Sequence, residues 1–256
     1  MLTLEEQLQK LNTYLNKLKR VVSTEKTFSF AASMGTTEIH DKYLNNFRNG
    51  FAHVGNISVR EADMQILINR MVGKDTTLLL DPTLLYEKEK WVSVSQKPKT
   101  NFPKKYVATY FLSEATESQK RNIEKYASDN GLEVVDILGK YANYIGPAEF
   151  LYTIANADFV FTDSFHGTAF SIIFRKNFMV FQRNKVYDMS SRITTVLDTF
   201  KLSHRFYNTN NEQLDDTFYS LIDKIKSENL SHIQTILLNE KEKLNAFLDV
   251  VFQGKE

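Results

Sequence analysis

From residue 105 to residue 200 the sequence keeps one rhythm, a short apolar run followed by an amphipathic one. KYVATYFL (105–112), LEVVDIL (132–138), DFVFT (158–162) and KNFMVFQ (176–182) read as strands. ESQKRNIEKYASDNG (117–131), GPAEFLYTIANA (146–157), SFHGTAFSIIF (164–174) and SSRITTVLDTF (190–200) read as helices. Strands separated by helices pair in parallel, because only a crossover connection is long enough to return the chain. The expected fold is therefore α/β with Rossmann-like parallel sheets. In such sheets a ligand binds beyond the carboxyl ends of the strands, so chemistry is to be sought where strands end.

The first half continues the theme less regularly. FSFAAS (28–33), NISVR (56–60) and TLLLD (77–81) are β-type runs, and HDKYLNNFRNGF (40–51) and EADMQILINRMVG (61–73) are helical, the second stopping on Gly73. WVSVSQKPKTNFPKK (91–105) carries two of the four prolines and a cluster of lysines, and reads as a linker between lobes. From about 211 to 252 the chain reads as two helices broken near Asn229-Leu230-Ser231. The expected organisation is a partial N-terminal lobe over 1–95, a Rossmann-like lobe over 96–210, and helices over 211–256 that pack back on the lobes.

The N-terminal stretch MLTLEEQLQKLNTYLNKLKRVV spaces leucines at 4, 8, 11, 15 and 18, an amphipathic helix whose stripe suits a core or a partner-helix seam. A homo-oligomer through that helix is one expected partnership. Acidic residues precede any apolar run, unlike a signal peptide, and no stretch is apolar for long enough to span a bilayer. The chain has no cysteine, which excludes disulfides and thiol catalysis and fits a cytoplasmic location. A net charge of +1 advertises no nucleic-acid surface. The five histidines, at 40, 53, 166, 204 and 232, lack metal-ligand spacing, so no metal is expected.

The stretch TDSFHGTAFSIIF (162–174) draws attention because it places an imidazole between two buried elements. Ser164 can cap the helix that starts there, and the free amides of the first turn attract phosphate or carboxylate. Gly167 removes a side chain, so a ligand can approach the backbone. His166 can give or take a proton near neutral pH. On spacing alone His166 is equally a packed first-turn residue.

This stretch, with GPAEFLYTIANADFVF before it, resembles the signature of the polysaccharide pyruvyl transferase family. FAASMGTTE (30–38), NISVRE (56–61), LLLDPTLL (78–85), Trp91 and SSRITTVLDTF follow in matching order, so the resemblance covers roughly 28–205. It implies a GT-B-like two-lobe arrangement and transfer of a pyruvyl group from phosphoenolpyruvate to a sugar of a cell-surface polysaccharide, as a cyclic ketal. Partners would be phosphoenolpyruvate and a glycan or lipid-linked saccharide, at the inner face of the membrane, with no cofactor beyond the donor substrate. His166 and Arg60 match family motif residues: proton transfer or phosphate contact for His166, substrate binding for Arg60. Arg60, at a strand end, is otherwise an ion-pair partner. Asp163 would orient His166, accept a hydroxyl proton or cap the helix. Ser164, Gly167, Thr168 and Arg192 would bind substrate, Arg192 having a structural contact as its other reading. Glu149, Arg183 and Lys185 rank below them.

Family members begin with further βα units, including a glycine-containing turn and a GSDQ-like strand end, that this sequence lacks. A truncated first lobe is thus expected. Two other readings follow: a nucleotide-sugar glycosyltransferase of GT-B type, and a non-catalytic member that binds a glycan or a partner.

Overall fold

A computed structural model of the chain describes residues 27–35, 38–183, 191–207 and 216–252. The leucine-striped segment 1–22, Lys185 and Ser190 lie outside them. The described residues divide into two compact units, one up to Asp81 together with those from Asn239 on, the other Pro82–Leu238. These limits differ from the lobe limits expected at 95 and 210.

The first unit is built from β1 (Phe28–Ala32), α1 (Asp41–Ala52), β2 (Asn56–Val59), α2 (Ala62–Val72) and β3 (Thr77–Leu78). The strands form a parallel sheet in the order β1-β2-β3. Helix α2 buries Met64, Ile68 and Met71, spaced four and three apart as one helical face requires. They pack on Ile57 and Val59 of the sheet, with Leu44, Phe47 and Phe51 of α1 at the margin. Gly73 ends α2 at φ 64°, a left-handed cap that glycine adopts without strain. Only Thr77 and Leu78 of the expected strand TLLLD pair. The chain then bends into Asp81-Pro82.

The second unit opens with the turn Pro82–Leu85 and helix α3 (Lys88–Val94). It continues with β4 (Tyr106–Tyr110), α4 (Glu117–Asp129), β5 (Glu133–Asp136), α5 (Pro147–Asn156), β6 (Phe159–Thr162), α6 (Phe165–Ile173), β7 (Phe178–Phe181), α7 (Ser191–Thr199), β8 (Phe206–Tyr207) and α8 (Asp216–Ser227). A last helix, α9 (His232–Phe252), begins in this unit and ends in the first, where Phe247 packs with Ala31 and Leu79. The five strands are parallel, in the order β5-β4-β6-β7-β8. The mixed α/β character and the parallel sheets read from the sequence are thus what the chain adopts.

One face of the larger sheet, with Val107, Phe159, Phe161, Met179 and Phe181, meets Ile123 and Tyr126 of α4 and Phe218, Ile222 and Ile225 of α8. On the other face an aromatic chain runs from Tyr110 through Phe150 and Phe170 to Trp91. Strands β6 and β7 are buried along their whole length, as strands covered on both faces must be. Part of the expected linker is therefore helical. Trp91 meets the Phe170 ring edge-on at 5.0 Å and donates from Nε1 to Thr83 O at 3.1 Å. The two-residue strand β8 was not expected, being too short to show a period.

At the start of β8 a charge is buried. Arg205 has no solvent exposure. Its Nη2 and Nε donate to Glu228 at 2.6 and 3.1 Å, its Nη1 donates to Lys176 O at 3.2 Å, and its guanidinium lies 4.6 Å over the Phe178 ring. His204 Nε2 approaches the same Glu228 oxygen at 3.2 Å. Burial alone would raise the Glu228 carboxyl, but the bonds and charges of Arg205 and then His204 hold it below the usual range.

A candidate active site where the larger sheet reverses direction

Between β4 and β6 the order of winding reverses: the chain goes outward from β4 to β5, then crosses back to β6. Such a reversal leaves a crevice outside the carboxyl ends of the two strands. Both turns that border it are tied together by Asp163, which has no solvent exposure. Its carboxylate accepts from Leu112 N at 2.6 Å, from Ser113 N at 2.9 Å and from the Ser113 hydroxyl. Arg183, beyond β7, donates from Nε to Asp163 O at 2.9 Å and lies 3.5 Å from its carboxylate. Asp163 therefore bonds neither to His166 nor to the amides of α6, the two structural roles expected of it. It fastens the β4 turn to the β6 turn.

Ser164 does cap α6, its Oγ accepting from Gly167 N at 3.5 Å. Its own amide is held by Thr162 Oγ1 at 3.0 Å, which in turn donates to Tyr110 O at 2.7 Å. The Thr168 hydroxyl donates to Ser164 O at 2.9 Å and is fully buried, so it is used within the helix. Gly167 is not an opening for a ligand. A Cβ added there would lie 3.0 Å from Thr162 Cβ, 3.1 Å from its Cγ2 and closer still to its Oγ1. Glycine is required because β6 and α6 touch at that point. Gly167→Ala is expected to push Thr162 off Tyr110 O and destabilise the protein by about 1–3 kcal/mol, read as a lower Tm. A Tm equal to wild type would mean that the strand and helix separate without cost.

Every other residue of α6 is buried, and His166 alone faces solvent. Its imidazole meets the Phe165 ring edge-on at 5.5 Å between centroids. The Arg192 guanidinium, from the first turn of α7, lies 5.9 Å over that same Phe165 ring. Phe165 thus brings His166 and Arg192 to one place, an imidazole and a cation beside a helix N-terminus that favours anions. Glu149 caps its own helix, accepting from Gly146 N at 3.1 Å.

Tyr110, the last residue of β4, was missed by motif reading. Its half-buried phenol packs on Phe150 at 4.9 Å. Burial, and then the charge of Asp163, raises its pKa, with Arg183 opposing. It stays a protonated donor beside the reversal point. Strand order would have found it, but that order is not a local sequence signal.

Arg60 belongs to the first unit and follows directly on β2. Its guanidinium pairs with Asp81, the buried carboxylate that follows β3. Adjacent Glu61 turns instead to β1, accepting from Ser33 Oγ at 2.7 Å and Gly35 N at 2.9 Å. Of the residues singled out in the sequence, the structure therefore brings together His166, Ser164 and Arg192 at one strand edge. Asp163, Gly167 and Thr168 build the ground beneath them.

No curated protein and no solved structure gives a significant match to the chain. A family model described as polysaccharide pyruvyl transferase matches residues 8–184, which include β1 to β7, the reversal point and His166. That span is well over half of the 256 residues, and the chain belongs to the polysaccharide pyruvyl transferase family.

Proposed function

We propose that the protein transfers the pyruvyl group of phosphoenolpyruvate to a pair of hydroxyls on a polysaccharide sugar or its lipid-linked precursor, forming a ketal. The observation that carries this is His166, the one exposed side chain of an otherwise buried helix, held with Arg192 on the Phe165 ring. Phosphoenolpyruvate has two anionic groups and an enol carbon. The reaction needs a proton at the methylene carbon and cationic support for the anions. Protonation makes the methylene a methyl group and leaves C2 electrophilic. One sugar hydroxyl attacks C2, phosphate leaves with its bonding electrons, and the second hydroxyl closes the ring at C2. The two hydroxyl protons balance the one gained by carbon and the one taken by phosphate.

In this reading His166 supplies or relays the proton and Arg192 holds the phosphate or the carboxylate. The first-turn amides of α6 add a positive dipole end. Tyr110 donates a hydrogen bond from the β4 side. Arg60 reaches substrate only by sharing or leaving Asp81, so its contribution is the part of the family motif that these contacts favour least.

The test is thermal unfolding with phosphoenolpyruvate titrated against phosphate, UDP and GDP. A saturating donor at 100 times its Kd adds about 2.7 kcal/mol, a rise of several degrees. The rise should be saturable, exceed that of phosphate and vanish in Arg192→Ala. A rise with UDP or GDP alone would replace this reading with nucleotide-sugar transfer. No rise with any of them would favour a non-catalytic member.

A further inference from the structure

Arg183 ranks below the other candidates on sequence, standing two residues past β7. The structure turns it across the carboxyl end of β6. Its Nε donates at 2.9 Å to Asp163 O, the backbone of the residue between β6 and the Ser164 cap of α6. That acceptor is neutral, so the bond fixes the guanidinium without cancelling its charge. The Asp163 carboxylate lies 3.5 Å from the same Nε, but two amides and the Ser113 hydroxyl already hold it. Among the described residues the two Nη atoms have no hydrogen-bond partner, and neither is sealed away from solvent, the side chain being 15 % exposed. An arginine held by Nε, with its Nη fork open, is a preformed two-point donor for an anion.

Tyr110 belongs to the same place. Strands β4, β6 and β7 pair with Tyr110 beside Thr162 and Thr162 beside Val180, so their carboxyl ends line one edge. Among the described residues the Tyr110 hydroxyl has no partner either, and it is not sealed in. Burial and then Asp163 raise its pKa and Arg183 opposes them, which puts phenol and guanidinium within one another's field.

We propose that the Arg183 Nη fork and the Tyr110 hydroxyl form a carboxylate subsite at the reversal point, which takes the planar carboxylate of the donor while Arg192 and the first turn of α6 take its phosphate. The division follows from charge. The buried Asp163 carboxylate beside Arg183 repels a dianionic phosphate about twice as strongly as a monoanionic carboxylate at the same distance. A helix N-terminus, by contrast, is suited to phosphate. The inference rests on the phosphoenolpyruvate reading for its second anion, yet its test reads binding without turnover, so either can fail alone.

The test is thermal unfolding of the full chain at constant ionic strength, titrated separately with pyruvate, which carries the carboxylate alone, and with inorganic phosphate. Each should protect the wild-type chain saturably. Arg183→Gln should raise the pyruvate Kd about ten- to hundredfold and leave the phosphate Kd within about twofold. Tyr110→Phe keeps the ring on Phe150 and should raise the pyruvate Kd about fivefold. Arg192→Ala should do the reverse of Arg183→Gln. The unliganded Tm reports whether each variant folds. If Arg183→Gln does not, Arg183→Lys, which keeps the charge but not the fork, and Tyr110→Phe decide, both weakening pyruvate and sparing phosphate. Absence of saturable protection by pyruvate overturns the subsite. So does an Arg183→Gln variant that binds pyruvate as wild type does, or that loses phosphate instead. A chain that binds pyruvate through Arg183 but never turns over phosphoenolpyruvate keeps the subsite and loses the proposed reaction.

Discussion

His166→Ala is expected to lower turnover by about 10²–10⁴-fold, the usual worth of a positioned proton-transfer group, while leaving the Tm within a degree or two of wild type. The asymmetry follows from the exposure pattern of α6. Every neighbour of His166 in that helix is packed, whereas the imidazole is exposed and meets the Phe165 ring edge-on. Alanine is the better helix former, so lost contact and gained propensity roughly cancel. The measurement pairs the rate of phosphate release from phosphoenolpyruvate, in the presence of a polysaccharide acceptor, with calorimetric unfolding. A variant that melts several degrees lower but turns over at the full rate per folded molecule would make His166 a packing residue. Arg192→Ala separates its role from that of His166. A cation that holds the donor raises KM more than it lowers kcat, whereas a proton carrier lowers kcat.

The local elements were legible because each is announced by a short-range pattern. The apolar runs read as strands over 105–112, 158–162 and 176–182 contain β4, β6 and β7, and the helical runs between them contain α4, α5 and α6. The strand edge at Thr162 followed by a serine cap was equally readable, and with it the position of His166. Partnership was not readable. Asp163 stands three residues before His166, and nothing local says that its carboxylate is taken by amides about fifty residues earlier. Gly167 looked like room for a ligand, because sequence shows an absent side chain but not the Thr162 side chain that fills the space. Arg60 met a carboxylate 21 positions away, across a helix and a strand. For Arg60 the ion pair is one of the two readings its strand-end position leaves open. In all three cases the residue and its element are local facts, and the long-range contact that occupies the functional group is not.

The largest effect on stability is expected away from the candidate site. Glu228→Ala should remove about 3 kcal/mol or more, because it leaves the Arg205 guanidinium buried with only Lys176 O and the Phe178 ring for company. At about 2–4 °C per kcal/mol, the Tm of the second unit should drop by roughly 10 °C. The carboxylate is itself part-exposed, which argues for the lower end of the range. Arg205→Met with Glu228→Leu should recover much of the loss, since a packed apolar pair leaves no buried charge uncompensated. Acid should act through the same residues. Glu228 is held below its ordinary value of 4.5, so its stabilisation is complete above that pH and is lost as pH falls through the lower folded value. Burial, against the pull of Glu228, holds His204 below 6.5, so its contribution begins to fade earlier as the solution is acidified through that value. Wild-type Tm should therefore decline from about pH 6.5 downward and fall more steeply below about 4.5. In Glu228→Ala the second, steeper phase should flatten, because the carboxyl whose protonation drives it is gone. An unchanged acid limb in that variant would place the titrating group elsewhere, and a Tm drop under about 2 °C would show that Arg205 finds another partner at little cost.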